Sequence, residues 1–189
     1  MPNKTIPRPE FPNPQFEREN WLNLNGEWDF AFDFSNSGIE KNMQNGKQFT
    51  HKITVPFAPE SVLSGIDYKD FMLCIWYGKN FILPKGWKNG SVILNFGAID
   101  FFAELWVNDQ YVAFHRGCSS VFSVDITHCL KNANKIVLRV FDDVRSKKQP
   151  SGKQSFLYNS AGCHYTRTTG IWQSVWLEFI PAKNYIKNY

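Results

Sequence analysis

A chain of 189 residues with 43% hydrophobic and 16% aromatic side chains carries enough apolar surface for one packed domain, which excludes a disordered or low-complexity protein. Its net charge of +4 is spread along the sequence, and the tightest basic pair, Lys147-Lys148, is too little for a nucleic-acid groove. No apolar run approaches the ~20 residues of a membrane helix, and the proline-rich start has no apolar stretch of a secretion signal, so the expectation is no membrane partner and a cytoplasmic location.

Residues 1–20 hold Pro2, Pro7, Pro9, Pro12 and Pro14, and such a segment runs extended over a surface rather than forming a helix or a central strand. Asn25-Gly26 marks a turn. Trp28, Phe30, Phe32 and Phe34 then alternate with Asp29, Ala31 and Asp33, the period of a half-buried antiparallel strand. Residues 35–50 are polar and read as a loop. Ile53-Thr54-Val55 is a short strand stopped by Pro56. Cys74 to Leu83 reads as a strand apolar on both faces, turned by Pro84-Lys85-Gly86.

Val92 to Phe96 and Ala103 to Val107 follow as strands. Asn108-Asp109-Gln110 is the hairpin loop before Tyr111 to Phe114. Gly117 and Ser119-Ser120 break the chain. Val121 to Ile126 is the next strand, and Asp125-Ile126-Thr127 suits the start of one helical turn. Asn132 to Lys135 turns into the strand Ile136 to Phe141. Asp142-Asp143 after it point to opposite faces and read as a solvated strand end. Residues 145–162 are polar, with Pro150 and Gly152. Cys74, Cys118, Cys129 and Cys163 show no Cys-x-x-Cys spacing, so free thiols and no metal or cofactor are expected.

The final stretch divides in two. Ile171, Gln173, Val175, Leu177 and Phe179 alternate with Trp172, Ser174, Trp176 and Glu178, a strand buried on one face and partly covered on the other. Ahead of it, His164-Tyr165-Thr166-Arg167-Thr168-Thr169 is a polar loop, and Gly170 is where loop becomes strand. Eight or nine short strands, turn signals every 8–12 residues and no long helix make an all-β sandwich.

The string Tyr165-Thr166-Arg167-Thr168-Thr169-Gly170-Ile171-Trp172-Gln173, continued by Val175-Trp176-Leu177-Glu178, resembles the last strand of the N-terminal domain of family-2 glycoside hydrolases, the β-galactosidase and β-glucuronidase group. Leu24 to Phe30 resembles that domain's opening strand, and the order Phe96-Gly97, Trp106-Val107-Asn108, Gly117, Phe122, Asp125-Ile126-Thr127 is similar to the family's. The resemblance implies a jelly-roll, galactose-binding-domain-like sandwich over residues 21–181, an extended segment at 1–20, and at 182–189 a linker into an immunoglobulin-like domain.

It also implies a larger enzyme. The family's two catalytic glutamates lie on a (β/α)₈ barrel and the acid directly follows an asparagine, whereas none of the eight glutamates here follows one. The implied role is that of a non-catalytic N-terminal domain of a glycosidase, a β-galactosidase in this reading, that packs on the barrel and lends a loop to the sugar pocket. The partners would be a β-galactoside-like carbohydrate and the remaining domains. The family's usual acidic sugar contact stands six residues before the motif glycine. His164 occupies that position here, which leaves galactose or another glycone open. Arg167 would bind a neighbouring carboxylate or reach substrate, and Asp70 lies where the family sends a loop toward the pocket. The alternative is an independent carbohydrate-binding module with an aromatic platform among Trp76, Trp106, Trp172 and Trp176.

Overall fold

The alternating segments pair as antiparallel strands in a computed structural model that describes residues 6–182 and 185. The segments expected at 1–20 and 182–189 are thus described only from Ile6 onward and at Ala182 and Tyr185. In chain order the strands are β1 (Trp21–Asn23), β2 (Gly26–Phe32), β3 (His51–Val55), β4 (Cys74–Phe81), β5 (Gly90–Phe96), β6 (Ile99–Asp100), β7 (Phe102–Val107), β8 (Gln110–Arg116), β9 (Phe122–Asp125), β10 (Asn134–Phe141), β11 (Gly170–Ile171) and β12 (Val175–Pro181). One sheet runs β3-β2-β4-β10-β7-β8, a second runs β1-β12-β5-β9, and β11 pairs with β6 in a small third ladder. This is the expected all-β sandwich, and among the described residues helical geometry is limited to short 3-10 turns such as Thr127–Cys129.

The core lies between the two large sheets. Trp28, Phe30, Ile75, Tyr77, Leu105 and Leu138 point in from the six-stranded sheet, and Leu94, Phe96, Phe122, Val175 and Leu177 meet them from the other. Each such side chain contributes about 1.5–3 kcal/mol by leaving water. The buried polar tips inside this core are matched: Trp28 Nε1 donates to the Leu24 carbonyl at 2.8 Å, and Tyr77 Oη accepts from the Ile171 amide at 3.3 Å.

Both outer faces carry covers, which explains why several strands read as apolar on both sides. On the six-stranded sheet, Ala31, Cys74, Trp76, Trp106 and Val137 form a second cluster with Met43, Phe49 and Phe141. The segment after β2 supplies that lid. Asp33 is buried and accepts from the Ser37 and Gly38 amides and from Trp76 Nε1, at 2.9, 2.8 and 3.0 Å. Strand β2 therefore ends at Phe32, and Phe34, read as its continuation, is exposed. On the four-stranded sheet the proline-rich segment lies as a strap. Phe11 packs edge-on against Trp21 and Trp176, with ring centroids 5.1 and 6.4 Å away, and Arg18 pairs with Glu178 at 3.1 Å.

The stretch read as one strand from Ile171 to Phe179 is broken. Gly170–Ile171 pairs with Ile99–Asp100, and Val175–Pro181 pairs with β5 and β1, with Trp172, Gln173 and Ser174 crossing between. The break follows the partner, because β5 and β6 bend apart at Gly97-Ala98 and the last segment must bend with them. The Gly97 amide donates to the Ser174 carbonyl at 2.9 Å across this corner. Parity survives the break, since Ile171, Val175 and Leu177 all reach the core. The four cysteines are free thiols, Cys74 and Cys129 buried and Cys163 exposed.

Candidate functional site

The segment between β10 and β11 closes on itself as a lobe. The Ser155 amide donates to the Tyr165 carbonyl at 2.7 Å and the Tyr165 amide to the Lys153 carbonyl at 2.9 Å, while Ala161 and His164 bond each other at the tip. Outward from this lobe stand Phe156, Leu157, Tyr158, His164 and Tyr165, all exposed. An apolar and aromatic group of this size, held away from any core, marks a surface that meets a ligand or another structure.

Arg167 holds the lobe from inside. It is 4% exposed, and its guanidinium donates to the carbonyls of Ser155, Leu157 and Tyr158 in the lobe and of Lys69 in the loop ahead of β4. Its plane also lies 4.3 Å over the Phe71 ring, on which Arg145 stacks at 4.1 Å. The neighbouring carboxylate expected for Arg167 is replaced by backbone carbonyls. A folded-back loop leaves carbonyls that no strand pairs, and one fork of five donors satisfies several at once.

His164 sits at the solvent-facing tip, its ring 6.3 Å edge-on from Phe156 and its Nδ1 3.9 Å from the Cys163 sulfur. Asp70 is exposed, and its Oδ1 accepts the Phe71 amide at 2.7 Å. Arg167 thus ties Lys69, the residue before Asp70, to the lobe whose tip carries His164. It brings the two loops together without setting the His164 and Asp70 side chains against each other.

Three acids at the base of the lobe were given no site role by the sequence, Asp142 being read as a solvated strand end. Glu60 accepts the Thr169 amide at 3.1 and 3.2 Å through its two oxygens. Asp142 accepts from Thr169 Oγ1 at 2.9 Å and from Gln149 Nε2 at 2.6 Å. Asp100 accepts from Gln154 Nε2 at 2.7 Å, and Gln154 Oε1 takes the Thr168 amide at 2.8 Å. All three are buried, so Asp142 is no solvated strand end. Burial pushes the Glu60 carboxyl up to about 7 against the hydrogen bonds from Thr169, with the charge of Asp142 adding to the rise. Burial and then Asp142 push Asp100 to about 7, and burial raises Asp142 in turn. The sequence held one signal: Asp100 stands between Ile99 and Phe101-Phe102, and a carboxyl in such a run needs built partners.

The four tryptophans do not make a sugar platform. Trp76 and Trp106 stack on each other at 5.7 Å beneath the 33–50 lid, and Trp176 is covered by Phe11. Trp172 is half-buried, its Nε1 donating to the Cys118 carbonyl at 2.7 Å, so it is less a core residue than its strand pattern suggests. It borders a cleft of about 1410 Å³ between the strap and the outer face of the four-stranded sheet, whose walls include Arg8, Phe11, Asn95, Ser123 and Gln173. His164, Arg167 and Asp70 lie outside its walls. The lobe, built on converging buried polar groups, is the stronger candidate site than this open and self-satisfied groove. Among the described residues, no group of three or more His, Cys, Asp or Glu side chains is arranged to hold a metal ion, and no helix is long and apolar enough to cross a membrane.

Residues 21–181 match the family described as "Glycosyl hydrolases family 2, sugar binding domain". A β-glucuronidase of Paenibacillus borealis is 28% identical over 146 residues, which is 76% of this chain and 24% of that protein. A β-galactosidase of Thermoanaerobacter pseudethanolicus is 28% identical over 167 residues, 85% of this chain and 20% of its own length. Among solved structures, a Ruminococcus gnavus β-glucuronidase superposes with a TM-score of 0.72 at 23% identity, covering 88% of this chain and 30% of that one. The chain therefore spans between a fifth and a third of the length of these three proteins.

Proposed function

The chain belongs to the sugar-binding domain family of the family-2 glycosyl hydrolases, and from that premise we propose that it serves as the N-terminal, non-catalytic domain of a larger β-glycosidase. In this reading the lobe between β10 and β11 forms part of the wall around the glycone, and the catalytic acid and nucleophile lie on another domain. The observation that carries it is the Arg167-braced lobe, which holds His164, Tyr165 and Phe156 out in solvent on a rigid sandwich. The chain's own buried acids are unsuited to glycoside chemistry, because each is enclosed and bonded within the lobe's base.

The names of the similar relatives run mostly to β-glucuronidase, which supports a β-glucuronide as the glycone. Arg145, Lys147, Lys148 and Lys153, clustered in sequence at the lobe's base, agree with an anionic sugar. The galactoside implied by the sequence resemblance is the second reading, supported by the β-galactosidase relative that matches 85% of the chain.

His164 is the proposed contact, with a ring nitrogen bonding a sugar hydroxyl. His164→Ala in the longer enzyme should lower kcat/KM by about tenfold, the loss of one hydrogen bond realised in the transition state. The fold should be untouched, since an exposed loop side chain adds little to stability. Steady-state kinetics with paired aryl β-glucuronide and aryl β-galactoside substrates checks both points. Equal kcat/KM for variant and wild type on the preferred substrate would remove His164 from the site.

A further inference from the structure

The base of the lobe gathers three carboxyls from three separate places on two adjacent residues. Glu60 comes from the irregular segment after β3, Asp100 from β6 and Asp142 from the end of β10. They meet Thr168 and Thr169, directly or through Gln154, and Gln149 closes the ring from the lobe's start. Acids thus take part in holding the lobe at both its start and its end.

Charge makes this arrangement conditional. The titratable and charged side chains bearing on the three acids are the acids themselves, Asp143 beside Asp142, the buried hydroxyl of Tyr77 near Glu60, and Arg167. Among the described residues Arg167 is the one cation of this set, and its two terminal nitrogens donate to backbone carbonyls. One oxygen of Asp100, Oδ1, is buried without any hydrogen-bond partner in a residue only 2% exposed. A buried, unpaired carboxylate oxygen beside two further carboxylates is costly, and a proton there removes both the charge and the repulsion.

We propose that Glu60, Asp100 and Asp142 form a protonation-dependent latch on the 149–169 lobe, closed while the cluster keeps a proton and opened when all three carboxyls ionise. Opening releases that proton to solvent and lets water reach the acids, while the sandwich beneath stays folded. Glu60 and Asp100 both titrate near 7, above the ordinary carboxyl range. Groups raised in this way stabilise the closed form at low pH and lose that effect as the pH rises through about 7. The latch concerns this chain alone and stands or falls apart from any role in sugar binding.

Amide hydrogen exchange on the whole chain tests it, with rates corrected for the intrinsic pH dependence of exchange. Protection of the Thr168 and Thr169 amides should fall about tenfold between roughly pH 6 and pH 8.5. Amides of β4 and β10 away from the cluster should hold. Asp100→Asn keeps an oxygen for Gln154 without a charge and should flatten the dependence, and Glu60→Gln is the second variant if the first does not fold. Protection at Thr168 and Thr169 that stays level in wild type overturns the latch. So does a fall shared by the whole sandwich, or one that survives unchanged in the folded variant.

Discussion

Gly170→Ala is expected to cost about 3 kcal/mol of unfolding free energy, from strain in a left-handed backbone and from overpacking. The residue sits at φ +75°, and a Cβ there would lie 2.2 Å from Tyr77 Oη and 3.0 Å from Ile75 Cδ1. Neither neighbour can step aside, because both Tyr77 and Ile75 are fully buried between the sheets. The position sits between the Thr169 amide bonded to Glu60 and the Ile171 amide bonded to Tyr77, so any shift also loosens the lobe's base. Gly65→Ala is the control: φ is +80° but nothing lies within 4 Å of the added carbon. It should cost about 1 kcal/mol, the backbone term alone. Thermal melts of the two variants should differ by several degrees, and equal melting temperatures would show that Tyr77 yields to the methyl group.

Arg167→Ala should act on the lobe. It strips donors from the carbonyls of Lys69, Ser155, Leu157 and Tyr158 and leaves the Phe71 ring without its cation on that side. Leaving buried acceptors unpaired costs about 1–3 kcal/mol each until water reaches them. Opening the lobe is the cheapest way to admit that water, so the expected loss in global stability is about 3 kcal/mol rather than the sum. Protease cleavage should concentrate within 155–165, with the sandwich surviving as the resistant fragment. Arg167→Lys should not rescue, because an ammonium cannot serve carbonyls from two loops at once. A variant as resistant in this segment as wild type would mean that the lobe is held by its backbone pairs instead.

Much of the fold was legible because it rests on period-two patterns. Trp28 and Phe30 announce their strand and its inward face without help from anything distant, while β4 and Ile136 to Phe141 announce their strands but, apolar on both sides, not which face is inward. The departures share one cause, a partner far away in sequence. The last strand breaks at Trp172 because β5 and β6 bend, which nothing between Ile171 and Phe179 records. Asp142 resembles a solvated strand end until Thr169 and Gln149 arrive from the next segment. Strand alternation marked most of the tryptophans as core and left a platform as the alternative, and it is the lid at 33–50 and the strap at Phe11 that cover Trp76, Trp106 and Trp176. For the candidate site, the polar run from His164 to Thr169 marked the segment that the structure folds into the Arg167-braced lobe. Its brace was visible only as Arg167 itself, since the backbone carbonyls that receive it have no sequence signature.

The most direct measurement is a crystal structure of the longer enzyme with a glycone, or an inhibitor shaped like one, bound at its catalytic carboxyls. The expected result is a polar atom of the 149–169 lobe, first of all an imidazole nitrogen of His164, within about 3.5 Å of a sugar hydroxyl or carboxylate. A glycone enclosed wholly by other segments, with the lobe more than about 10 Å away and no bridging water, would contradict it.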